Sequence, residues 1–237
     1  MKWWLTDVEN AIHKASDKIA TVADSVAQEL KVGKNDDLFI VGGFVRDNVL
    51  TALSGKENMS KDIDLILPKR PDLENNKNIV KKRLNSMGGL KIGTKNFPEI
   101  DIFQHNTTNV QLVIGEYFDF NCNALYYSHY SKSIFATSYF YDFISRKTLD
   151  LLNFIIIPNS TEQKYFGHSI VSRALKFQVQ FQEKYGMRVN LSSGILGLLY
   201  SMDKDTEQKM FEYTKAKVKN QMLQNKIISK YKQLKQH

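Results

Sequence analysis

The chain has 237 residues, 42% of them apolar and 24% charged, with a formal net charge of +8 and a pI near 9.3. That length accommodates one or two domains with a proper core, and the basic balance favours a polyanionic partner, nucleic acid before membrane. A single cysteine, Cys122, excludes an intrachain disulfide; no C-x-x-C or H-E-x-x-H pattern points to zinc, and no apolar run is long enough to span a bilayer.

Met1-Lys2-Trp3-Trp4 is not followed by an apolar h-region, so no signal peptide is expected and the reading is a cytoplasmic protein. Thr6 and Glu9 form a capping-box pattern, and Val8, Ile12, Ala15, Ile19, Val22, Val26 and Leu30 continue one helical stripe that Gly33 ends. Leu38-Phe39-Ile40-Val41 then reads as a buried strand running into Gly42-Gly43, and 44–53 as a helix with Val45, Val49 and Leu53 on one face. A polar loop leads to Lys61-Asp62-Ile63-Asp64-Leu65-Ile66-Leu67, a strand on which Asp62 and Asp64 share a face while Ile63 and Leu65 take the other. Paired carboxylates on one face suit hard divalent cations. Glycines without Cβ let a triphosphate approach the backbone, and the N-terminus of the following helix favours negative charge. Together they outline a nucleotidyl-transfer site.

Residues 72–87 are charged and read as a helix closed by Gly88-Gly89, and 90–93 with 100–103 as a strand pair. Asp101, between Ile100 and Ile102, projects away from the buried face, and Glu99 lies two residues off on the same side. Residues 134–144 and 148–152 read as strands with Ser145-Arg146-Lys147 as the turn, 161–185 as a helix, and 192–202 as a short apolar helix. From Lys204 onward the pattern is one long polar helix carrying Lys215, Lys217, Lys219, Lys226 and Lys230. Such a helix could track an RNA backbone, because lysine–phosphate contacts release counterions without reading sequence; a solvated tail fits the same composition.

Three stretches resemble one family. Val41-Gly42-Gly43-Phe44-Val45-Arg46-Asp47 followed by Lys61-Asp62-Ile63-Asp64 is similar to the head of the CCA-adding enzymes and bacterial poly(A) polymerases, within the polymerase-β-like nucleotidyltransferases. Asp119-Phe120-Asn121-Cys122-Asn123-Ala124-Leu125-Tyr126-Tyr127 is similar to the family's R-R-D-F-T-x-N-A-L-x-Y, with Phe118 where an arginine precedes the aspartate. Residues 170–189 resemble its R-I-L-R-A-L-R-F…G-F-R-I neck, with Arg173 and Lys176 on one helix face. The resemblance spans about 36–190; no E-D-x-x-R element is present, and the form implied is compact, without body and tail domains.

The resemblance implies an α+β fold: a nucleotidyltransferase head with a mixed sheet and flanking helices over 1–157, then a small helical neck over 158–237. It implies NTP (ATP and/or CTP) and Mg²⁺ as substrate and cofactor, and an RNA 3′ end, tRNA-like or poly(A)-like, as partner. Asp62, Asp64 and Asp101 would be catalytic and would hold two metal ions, one activating the 3′-hydroxyl and one the leaving pyrophosphate. Gly42, Gly43, Arg46, Asp119, Asn123, Arg173 and Lys176 would serve the nucleotide, although Asn123 can equally bridge backbone groups in a tight turn. Transfer to a protein or small molecule, and an inactive nucleic-acid-binding relative, remain as alternatives.

Overall fold

The computed structural model describes residues 3–33, 36–57, 62–68, 71, 73–74, 76–84, 89–97, 99–105, 109–152 and 161–236, without the side chains of 161–166. Lys61, Asp72, Asn75, 85–88 and 153–160, on which some of the expected elements fall, lie outside them. The chain divides into two compact units: 1–118 with 122–141, and 119–121 with 142–237. The division falls within a helix at 141–142, earlier in the chain than the boundary at 157 expected from sequence.

In the first unit, α1 (Leu5–Leu30) leads to β1 (Phe39–Val41), α2 (Gly43–Ser54), β2 (Ile63–Leu67), β3 (Ile79–Leu84), β4 (Leu90–Thr94), β5 (Ile100–Gln104), α3 (Val110–Tyr117), β6 (Leu125–Ser128) and β7 (Ser133–Ala136). Among the described residues these seven strands form one mixed sheet in the order β3-β4-β5-β2-β1-β6-β7, with β2 and β5 parallel and the other pairs antiparallel. The α+β class is as expected.

Strand alternation sorts the sheet into two faces. On one, Leu90, Ile102, Leu65, Ile40, Tyr127 and Ile134 lie side by side in register across six strands, and all are buried. This is the face toward α1, since Asp24 and Asp17 of that helix help push the Tyr127 hydroxyl up to about 12, behind burial itself. Each buried aliphatic in such a row contributes about 1.5–3 kcal/mol. The adjacent row on the opposite face is Lys91, Asp101, Asp64, Val41, Tyr126 and Phe135, and it holds two of the three candidate acids.

The second unit comprises the end of α4 (Ser138–Arg146), a two-stranded parallel ladder of β8 (Thr148–Leu149) and β9 (Asn190–Leu191), and the helices α5 (Thr161–Tyr185), α6 (Ser193–Ser201), α7 (Lys204–Lys217) and α8 (Gln221–Lys235). Phe120 meets Phe177 edge-on, Phe177 stacks on Phe181, and Phe143 tilts against Phe181, at ring separations of 5.4, 5.6 and 5.4 Å. Ser172 and Thr214 share a buried hydrogen bond of 2.7 Å that ties α5 to α7.

Four expectations are corrected. Ile79–Leu84 is an edge strand rather than part of a helix, Ser138–Arg146 is a helix rather than a strand, and the segment after Lys204 is two helices. Val218 is buried where the helix breaks, the Asn220 side chain caps Leu223 N–H at 3.0 Å, and Gln224 Nε2 bonds Val218 O at 2.5 Å. At the N-terminus the capping residues are Trp4 and Asp7 rather than Thr6 and Glu9: Trp4 N–H donates to Asp7 Oδ2 at 2.8 Å.

Candidate active site

The glycine pair and the acids meet because β1 and β2 are neighbours with Val41 opposite Asp64. Gly42 has φ +71°, a conformation that L side chains rarely adopt, and ends β1 while starting α2. A Cβ on Gly42 would lie 2.7 Å from Asp64 Oδ2 and 3.5 Å from Phe118 Cε1. The positive φ and the close approach of the carboxylate both favour glycine here, while the Phe118 ring stands at ordinary contact distance.

Asp64 stands opposite Asp101 in the parallel β2–β5 pair, and Asp62, exposed, immediately precedes β2. Burial, then the Asp101 and Asp62 carboxylates, push the Asp64 carboxyl up to about 7, with Lys91 and Arg46 pulling the other way. Register also separates Asp101 from Glu99: Asp101 pairs with Asp64, whereas Glu99 lies just before β5 and bonds Lys91, with Arg83 at 3.7 Å.

Among the described residues no group of three or more His, Cys, Asp or Glu side chains is arranged to hold a metal ion. The donor chemistry nevertheless suits Mg²⁺, which is usually held by one or two carboxylates plus substrate phosphates rather than by an all-protein cage. Like charges that burial and mutual repulsion disfavour at Asp64 are what a dication relieves.

Arg46 lies at the first turn of α2, as expected. It is buried in α2, its Nε and NH2 lie 2.8 and 2.6 Å from Asp47 Oδ1, and NH1 donates to Asn123 Oδ1 at 2.7 Å. Asn123 thus ties the turn before β6 to the helix after the glycines, and next to it burial pushes the Cys122 thiol up to about 12, an inert side chain. In the second unit, Arg173 forms an ion pair with Asp119 and its guanidinium lies 6.0 Å from the Phe120 ring centroid. Asp119 and Arg173 therefore answer each other within that unit. Lys176 is half-buried on α5.

Of the C-terminal lysines, Lys215, Lys217, Lys219 and Lys226 are exposed and Lys230 half-buried; Lys226 pairs with Glu183 of α5. Sequence reasoning missed Lys91, whose Nζ lies 2.8 Å from Asp101 Oδ2. The expected pairing of 90–93 with 100–103 held the clue, and only the register, Lys91 opposite Asp101, brings it out.

Comparison with solved structures gives the same fold. A Thermotoga maritima CCA-adding enzyme complexed with tRNA superposes at a TM-score of 0.56 and 18% identity, over 95% of this chain and 54% of that one. Structures of CCA-adding enzyme with ATP and with CTP give TM-scores of 0.59 and 0.57 at 17% and 16% identity, over 96% and 95% of this chain and 54% and 53% of theirs. The fold is that of the CCA-adding enzymes. The chain spans about half the length of those structures. No family model and no curated protein sequence matches it. No helix among the described residues is long and apolar enough to cross a membrane.

Proposed function

We propose that the chain is a metal-dependent nucleotidyltransferase that adds nucleotides from an NTP, ATP and/or CTP, to an RNA 3′ end of tRNA or similar type. The observation that carries this reading is the close packing of Gly42 against Asp64, with Asp101 in register beside it. Carboxylates and a glycine turn at a helix N-terminus are thereby held side by side. The fold shared with enzymes solved in complex with tRNA, ATP and CTP supports the same assignment.

Asp62, Asp64 and Asp101 would hold Mg²⁺, which when bound supplies Lewis-acid stabilisation of the charge that moves from the attacking hydroxyl to the pyrophosphate. Gly42 and Gly43 offer backbone without Cβ to the triphosphate, at the positive end of α2. Arg46, locked to Asp47 and Asn123, fixes the first turn of that helix and adds positive potential near Asp64. Lys215, Lys217 and Lys219 provide an exposed basic stretch at the end of α7 for an RNA backbone.

Incubating the protein with each labelled NTP, Mg²⁺ and total RNA tests the reading, with Asp64→Ala and Asp101→Ala as controls. Label should enter RNA with the native chain and with neither variant. Label entering protein or a small molecule instead would move the acceptor to another class; equal labelling by all three chains would reject the site.

A further inference from the structure

Lys91 occupies a position that the proposed chemistry does not yet use. Its ammonium lies 2.8 Å from Asp101 Oδ2 and bonds Glu99 on its other side, so it is gripped by two carboxylates. The antiparallel pairing of β4 with β5 sets Lys91 directly opposite Asp101, and its side chain is only 18% exposed. Arg83 lies 3.7 Å from the second oxygen of Glu99 and continues the chain of charges outward. This is a built-in cation on Asp101, the acid opposite Asp64.

Resting on the nucleotidyl-transfer reading, we infer that Lys91 is a positioning residue whose ammonium takes the place of one of the two metal ions, leaving the site to one Mg²⁺ held through Asp62 and Asp64 with the triphosphate. Charge balance favours this. A second dication at Asp101 would have to displace a lysine already held by two anions, Asp101 and Glu99. An Mg²⁺ that takes one or two carboxylates and completes its shell with phosphate and water needs no more protein ligands than Asp62 and Asp64 provide.

Mn²⁺ counts the ions without any need for turnover. Equilibrium dialysis against Mn²⁺ and a fixed concentration of the α,β-methylene analogue of ATP, repeated with that of CTP, gives the excess bound per chain. The native chain and Lys91→Arg should take up one Mn²⁺, Lys91→Met two, and Asp64→Asn fewer than the native chain. Two ions on the native chain, or the same count on the native chain and a folded Lys91→Met, overturns the inference. Should Lys91→Met fail to unfold cooperatively, the native and Lys91→Arg counts decide alone: one supports and two overturns. Uptake that Asp64→Asn leaves unchanged would instead reject the site itself, and the inference with it.

Discussion

Asp64 sets the behaviour of the site at the scale of the single residue. Its carboxyl is held at about 7 in the folded chain against 3.8 in the unfolded one. The folded state therefore binds more protons between those values, so this group's contribution to stability is complete below about pH 4, falls as pH rises, and levels above 7. A shift of this size corresponds to about 4 kcal/mol as an upper bound. Without metal, Asp64→Asn should unfold at higher urea than the native chain at pH 8, with the difference vanishing near pH 4. An Asp64→Asn midpoint that tracks the native one across that range would show the carboxyl to be solvated. Arg46 makes the opposite case. Arg46→Ala breaks the buried Arg46–Asp47 pair, and breaking a buried pair typically costs about 3–5 kcal/mol. The expected result is a large drop in Tm; a Tm near native with weakened NTP binding would restore Arg46 to the phosphates.

At the scale of the element, the β1–α2 turn is the least replaceable piece. Gly42→Ala places a methyl 2.7 Å from Asp64 Oδ2 at a positive φ. Backbone strain of about 1–3 kcal/mol should lower Tm, and nucleotide transfer should fall further than stability explains, because the carboxylate itself must move. Transfer at the native rate would mean the turn has room that the geometry denies. This turn was legible in the sequence because strand and helix each follow their own hydrophobic period on either side of it. So were the strands β2 and β5 themselves, where Ile63, Leu65, Ile100 and Ile102 alternate with the acids, although their pairing was not. The misread elements lacked that signal. Lys81, Lys82 and Arg83 give β3 no buried face, and charge of this kind also keeps an open edge from pairing with other chains. Tyr139, Phe140, Tyr141, Phe143 and Ile144 have high strand propensity, yet they wind into α4, where Phe140, Phe143 and Ile144 are buried at helical spacing. The pairs Arg46–Asn123 and Arg173–Asp119 join residues far apart in the chain, and no local pattern announces them.

At the scale of the whole molecule, the charge of +8 bears on the proposed RNA partner. Removing α8 would test this poorly, because Ile227 and Tyr231 are buried. Lys215→Gln, Lys217→Gln and Lys219→Gln change only exposed positions. Together they should weaken RNA binding and flatten the slope of log affinity against log salt by roughly 0.7 per lost single-strand contact, leaving NTP affinity intact. An unchanged slope would make this stretch a solvated surface. The division of the chain carries a different consequence. Asp119, Phe120 and Asn121 belong to the second unit, while Phe118 and Cys122 on either side belong to the first. Asp119 O accepts from Leu152 N–H at 2.9 Å, Asn121 N–H donates to Asp150 O at 3.0 Å, and Asp119 pairs with Arg173. During synthesis every residue of the first unit has left the ribosome once Tyr141 emerges, but the partners named here for these three, with Thr148 for the Asn121 side chain, follow only over 148–173. The two units cannot be separated by one cut in the chain or exchanged as cassettes, and each waits on the other's stretch of gene.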